Sequence, residues 1–155
     1  MLYLDSSALA KRYFNERGSE AVADRFDRRE IIFTSIVSFA EIHSAFGRKF
    51  RDQEIDRREL TRLRDVFQSD WLFSLNKLEL DFAAMIDLPR LVETYPLKAG
   101  DAIHLSAALW LRDSLRVGAV TGETEGTVEF GVADKQLKTI ALQHGLEVFD
   151  PEQKV

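Results

Sequence analysis

The chain has no cysteine in its 155 residues. That excludes a disulfide framework, thiolate metal ligands and a cysteine nucleophile, and it fits a reducing cytoplasmic setting, which is the location we expect. No apolar run is long enough to span a bilayer, so no membrane partner is expected. No basic segment followed by an apolar core opens the chain, so no signal peptide is expected at Met1. Prolines number three, and no repeat, linker or low-complexity tract breaks the sequence. An excess of positive charge is also missing. The formal net charge is -5, which argues against broad non-specific binding to nucleic acid but leaves room for a local basic surface.

What is present is an ordinary globular balance, with 45% hydrophobic and 30% charged residues. The length suits one domain over residues 1–155 with a sizeable core. Short apolar runs alternate with helical patterns. Strands are expected at Leu2–Leu4, Glu30–Thr34, Trp71–Leu75, Thr127–Val132 and Glu147–Phe149. Helices are expected at Ser6–Phe14, Ser19–Phe26, from an N-cap at Ser35 to Phe50, at Asp56–Phe67, over most of Leu78–Tyr95 with a bend near Pro89, from Gly100 to Leu115, and at Asp134–His144 with Gly145 closing it. The third of these carries an apolar stripe of Ile36, Phe39, Ala40, His43, Phe46, Gly47 and Phe50. The glycine-bearing stretch Val117–Gly126 reads as a loop. The alternation indicates an α/β domain with a mostly parallel sheet and helices on both faces.

Four acidic residues interrupt apolar sequence. Asp5 ends the first strand, Glu41 lies within Ile36–Ile42, Asp101 opens Asp101–Leu109, and Asp134 follows Val128–Ala133. A carboxylate beside a core is costly unless paired, hydrogen-bonded or bound to metal. Sites in open parallel sheets lie beyond the carboxyl ends of the strands, and Asp5, Asp101 and Asp134 can share that edge. Each has a plainer explanation. Asp101 and Asp134 suit N-caps, Asp5 suits an Asx-turn, and Glu41 suits a solvated helix face. His104, three residues after Asp101, is placed to donate to a carboxylate or simply to pack. Lys11 and Arg12 read either as surface residues or as contacts to a phosphate group. His43, Trp71 and Trp110 read as packing residues, and His144 as a cationic partner of a helix C-terminus. The basic run from Arg48 to Arg64 is interleaved with acids and reads as a solvated face.

The segments Leu4–Lys11, Ser38–Ile42, Leu97–Ala108 and Ala133–Leu137, in that order and spacing, resemble the PIN domain, and within it the VapC-type toxins of toxin–antitoxin pairs. The resemblance implies a PIN-like three-layer α/β/α sandwich with a mostly parallel sheet of four to five short strands. It also implies a Mg²⁺- or Mn²⁺-dependent endoribonuclease that hydrolyses RNA phosphodiesters. The implied acidic site is Asp5, Glu41, Asp101 and Asp134, supported by the Ser6 hydroxyl and His104. The implied partners are an RNA substrate, a small VapB-type antitoxin and a second copy of the chain. Phe14, Phe39, Phe46 and Phe50 agree with a homodimer, because they give the early helices more apolar surface than a small sheet needs.

One position departs from the family pattern. Val132 stands where relatives carry Ser or Thr, so Asp134 lacks one hydrogen-bond partner and is expected to bind metal through water, with Asp5 and Asp101 direct. Two other readings remain open: a non-catalytic PIN-like binding module, and a phosphoryl-transfer domain using Asp5. The second lacks the Asp-x-Asp signature of haloacid-dehalogenase-like phosphatases, since position 7 is Ser7.

Overall fold

The computed structural model describes residues 1–117 and 127–153. The expected loop at Gly118–Gly126, with Glu123 and Glu125, lies outside the described residues. Five strands are present: β1 Leu2–Leu4, β2 Ile32–Ser35, β3 Leu75–Leu78, β4 Glu129–Gly131 and β5 Glu147–Phe149. They form one sheet in the order β3-β2-β1-β4-β5, and every pairing is parallel. Successive side chains on a strand point to opposite faces, and β1 divides the core accordingly. Tyr3 packs with Phe130, Leu105 and Leu137 on one face, while Leu2 and Leu4 pack with Ile32, Ile42 and Phe46 on the other.

Helices α1 Ser6–Leu9, α2 Ser19–Asp27, α3 Ser38–Arg51 and α4 Arg57–Phe73 cover the second face. Helices α5 Leu88–Thr94, α6 Ala99–Arg116 and α7 Lys135–Gln143 cover the first. This is the three-layer sandwich the sequence implied. The apolar helix α6 is its central member, with ten buried residues from Ala102 to Leu115.

Several boundaries differ from expectation, each for a local reason. The first helix is shorter than Ser6–Phe14, because the chain tightens into a 3₁₀ turn over Ala10–Arg12. The expected strand at Trp71–Leu75 is instead the last turn of α4 followed by β3. The stripe Leu60, Leu63, Phe67 continues to Trp71, which packs on Phe67 and Phe39 at ring separations of 5.6 and 5.2 Å. Helix spacing therefore outweighs the strand-like composition of that run. Leu78–Tyr95 is not one bent helix. Asp81 accepts from the Ala84 N–H at 2.8 Å in a turn, and Pro89 sits in the first turn of α5, where its missing N–H costs nothing.

Helix α3 begins at Ser38 rather than after Ser35, whose hydroxyl accepts from the Val37 N–H at 3.3 Å. Its buried side is Ser38, Ile42 and Phe46, whereas Phe39 is 42% exposed. The core-facing stripe is thus rotated from the one read in the sequence, and Glu41 is brought to the edge of the buried face. Phe46 is fully buried and Phe14 and Phe50 pack against the same core. The apolar surplus on the early helices is mostly consumed internally, leaving only Phe39 of the four exposed. Among the described residues no helix is long and apolar enough to cross a membrane.

Candidate active site

β1 and β4 lie side by side at the centre of the sheet, and the chain leaving each delivers an aspartate. Asp5 follows Leu4 directly, and its N–H donates to the Gly131 carbonyl at 3.0 Å. The strands approach closely here, and a Cβ on Gly131 would collide with the Leu4 side chain. Asp5 is the N-cap of α1. It accepts from the Ala8 N–H at 2.8 Å and from the Ser7 hydroxyl, which lies 2.8 Å from both carboxylate oxygens. So the Asx-turn reading describes its local role correctly. Even so, the carboxyl is only 3% exposed. Burial raises its pKa from 3.8 to about 6, against the lowering effects of His104, Ala8 and Ser7, and nearby Asp101 raises it further.

Asp134 caps α7, accepting from the Leu137 N–H at 2.8 Å. Its cap role engages one carboxylate oxygen. Asp101 is not the N-cap of α6. Lys98 is, and Asp101 lies in the first turn. Its pKa is raised first by burial and then by the charge of Asp134. The two helix starts therefore lie close enough for their like charges to repel, with the sheet and helix packing holding them there.

Glu41 enters from α3. It receives hydrogen bonds from His104 Nε2 at 2.9 Å and from the Ser6 hydroxyl. Burial raises its pKa, but those two donors outweigh it and hold the carboxylate below its usual range. Gly100 makes room for Glu41, since a Cβ there would meet Glu41 Oε1. The Ser6 oxygen also lies 3.1 Å from the Ser38 hydroxyl, Ser38 shares a 2.6 Å hydrogen bond with Thr34, and Thr34 donates to the Leu4 carbonyl at 2.8 Å. A buried hydroxyl chain therefore ties the end of β1 to α3.

The structure thus joins Glu41 to His104 and places Asp101 within electrostatic reach of both Asp5 and Asp134. Ser7 is a further member that the sequence reading passed over. Besides donating to Asp5, its hydroxyl accepts from the Ala133 N–H at 3.0 Å, locking the β4–α7 junction to the β1–α1 junction. The tandem Ser6-Ser7 after Asp5 was the available signal. Val132 is fully buried in the core, so its side chain adds nothing polar beside Asp134, as its identity implied.

Two candidates fall elsewhere. Lys11 is 5% exposed, and its ammonium is held by Glu16, by Glu152 and by the Arg17 carbonyl at 3.2, 2.7 and 2.9 Å. Arg12 lies 3.4 Å from Asp70 and stacks 4.6 Å over Phe26. Lys11 is structural, since its charged end is committed within the fold, which displaces its phosphate-contact reading; among the described residues Arg12 is tied only through Nε, with a quarter of its side chain exposed. His144 is the C-cap of α7, as its position implied, and burial, then Arg90 and Arg112, lower its pKa against the opposing charge of Asp87. His43 packs on Phe39 and Phe67, as read.

Among the described residues no three His, Asp or Glu side chains converge tightly enough to form a finished metal cage. The donor set nonetheless fits a hard divalent cation. It is all carboxylate, and two of its members are disfavoured as anions by burial and by a neighbouring carboxylate, Asp101 beside Asp5 and Asp134 beside Asp101.

Comparison with known proteins agrees with the fold. Ribonuclease VapC45 of Mycobacterium tuberculosis (strain CDC 1551 / Oshkosh) and Ribonuclease VapC49 of Mycobacterium tuberculosis (strain ATCC 25618 / H37Rv) are each 25% identical to this chain over 120 residues. The similarity covers 77% of this chain and 83% of each of theirs. Among solved structures, FitAcB from Neisseria gonorrhoeae superposes with a TM-score of 0.67 at 15% identity, covering 99% of this chain and 100% of that one. VapBC2 from Rickettsia felis, bound to a DNA fragment from its promoter, gives 0.65 at 12% identity over 97% and 98%. The PIN domain family matches residues 2–116, well over half of the sequence, and it carries three of the four acidic residues; this chain belongs to the PIN domain family.

Proposed function

We propose that the chain is a metal-dependent endoribonuclease and the toxin of a VapBC-type toxin–antitoxin pair. The observation that carries the reading is the gathering of Asp5, Glu41 and Asp101 near one buried histidine, at the carboxyl ends of the central strands. Relatives named ribonucleases over most of their length support the substrate class.

Asp5, Glu41, Asp101 and Asp134 would hold Mg²⁺ or Mn²⁺. When bound, such an ion lowers the pKa of water and neutralises charge on a scissile phosphate. The chain's own residues supply orientation. Ser7 and the Ala8 N–H fix the Asp5 carboxylate, and Ser6 with His104 fixes Glu41. With Val132 offering no hydroxyl to orient it, Asp134 is the carboxylate assigned a water-mediated contact. Mg²⁺ usually keeps several waters and takes one or two carboxylates directly, which suits Asp5 and Asp101.

The antitoxin partner is proposed on the likeness to the VapBC2 and FitAcB folds. The homodimer draws on the same likeness and on exposed apolar residues other than those first expected: Phe73 and Phe82, each 84% exposed, and Ile86, 62% exposed.

The deciding experiment is cleavage of a mixed RNA pool with and without Mg²⁺, against an Asp5→Asn variant. Cleavage is expected only with metal and only in the native chain. Undiminished cleavage in excess chelator would sink the metal mechanism, and no cleavage under any condition would favour the non-catalytic binding module.

A further inference from the structure

Tyr3 contributes no atom to the acidic site, yet it is wired to it. It sits in the middle of β1 and is fully buried. A buried phenol needs a hydrogen-bond partner. This hydroxyl finds Nδ1 of His104 at 3.0 Å, with the rings edge to face at 6.0 Å and 75°. His104 is itself only 2% exposed. Its other nitrogen, Nε2, lies 2.9 Å from Glu41 Oε2 and 3.1 Å from the Ser6 hydroxyl.

A neutral imidazole carries one N–H, and the partner of one nitrogen decides which nitrogen has it. A phenol ordinarily keeps its proton up to about pH 10, and this one is fully buried with its oxygen 3.0 Å from Nδ1. The phenol is therefore the donor and Nδ1 the acceptor. The ring hydrogen is left on Nε2, aimed at the Glu41 carboxylate. Without the phenol, Nδ1 loses its only donor among the described residues, and the ring is free to move its hydrogen away from Glu41.

We infer that Tyr3 is a positioning residue: its hydroxyl selects the His104 tautomer whose Nε2–H holds Glu41 in place. The catalytic consequence rests on the nuclease reading above; the tautomer does not.

The test is ¹⁵N NMR of the His104 ring in the full chain at about pH 8, where an imidazole is ordinarily neutral. The native protein should show a bare Nδ1 and a protonated Nε2, and Tyr3→Phe should show mixed tautomers. Tyr3→Phe should also weaken Mn²⁺ binding, followed with the metal alone, by about tenfold, and lower kcat by about tenfold with KM changed by less than about twofold. In a His104→Gln background, where an amide N–H reaches Glu41 without any tautomer choice, adding Tyr3→Phe should change kcat by less than about twofold. An Nδ1–H ring or a doubly protonated ring in the native protein overturns the assignment. So does an equal loss from Tyr3→Phe in both backgrounds, which would mark simple packing. If the native tautomer is as assigned and shifts in Tyr3→Phe, but no form of the protein cleaves RNA, the relay stands and the nuclease reading fails.

Discussion

Asp5 is held by two donors, the Ser7 hydroxyl and the Ala8 N–H, and is still unfavourable as an anion, because burial outweighs them. Its pKa of about 6 in the fold lies above the 3.8 of the free side chain, so the folded protein binds the proton more tightly than the unfolded chain does. The stabilising contribution is therefore complete below 3.8 and is lost as pH rises through about 6. The metal-free protein should melt at progressively lower temperature across that window. At neutral pH the ionised group costs about 3 kcal/mol. Asp5→Asn keeps a cap acceptor for Ala8 and removes the charge. It should raise the metal-free melting temperature by about 5 °C, flatten the pH dependence, and abolish RNA cleavage. A melting temperature that falls in the metal-free variant would assign Asp5 a purely structural role. Asp134 differs, since its cap bond is its main local tie. Asp134→Asn should reduce cleavage less than Asp5→Asn does, and extra Mn²⁺ should recover part of the loss. Equal inactivity at every metal concentration would refute that ranking.

Helices α3 and α6 meet where Gly100 faces Glu41, and here stability and activity should separate. Alanine is the better helix former by about 1 kcal/mol, and the only atom it displaces is the end of a flexible side chain. Gly100→Ala should therefore melt no lower than the native protein, yet cleave RNA at least about tenfold more slowly, because the Glu41 carboxylate is pushed from its donors. Calorimetry and single-turnover rates on the same sample check both halves. Native-like rates would show that Glu41 has room to move without consequence. At the same scale, Ser7 joins two junctions with one hydroxyl. Its removal should loosen the β4–α7 connection as well as Asp5.

For the molecule as a whole, the ends of the described chain are tied together through Lys11. Its buried ammonium pairs with Glu152 near the C-terminus and with Glu16. Those carboxylates are 35% and 41% exposed, so water compensates them when the lysine is lost, and the cost should fall below that of a fully buried pair. Lys11→Met is expected to destabilise by about 1–2 kcal/mol and to leave cleavage per folded molecule unchanged. Denaturant titration with activity measured in parallel tests this; a selective loss of RNA affinity would restore Lys11 to the substrate surface. Association is the other property at this scale. Light scattering should show a dimer at micromolar concentration, and Phe73→Ser with Phe82→Ser should weaken it. A monomer at high micromolar concentration would remove the proposal.

The layer architecture was legible in the sequence because it depends on periodicity. Short apolar runs between helical stripes leave a parallel sheet covered on both faces as the economical way to bury them. Asp5 and Asp134 were legible as strand-end acids, since each follows its strand within a few residues. Other features were not carried by local pattern. Trp71–Leu75 has strand-like composition, and only the packing of Trp71 on Phe67 and Phe39 shows that α4 continues through it. Lys11 follows the acidic motif closely, and only the approach of Glu152 from the far end of the chain shows that its charge is spent. The rotation of α3, the space at Gly100 and the link from Tyr3 through His104 to Glu41 join residues far apart in sequence. Their roles depend on distances between side chains, which the order of residues does not encode locally and which only the closed packing of helices against the sheet decides.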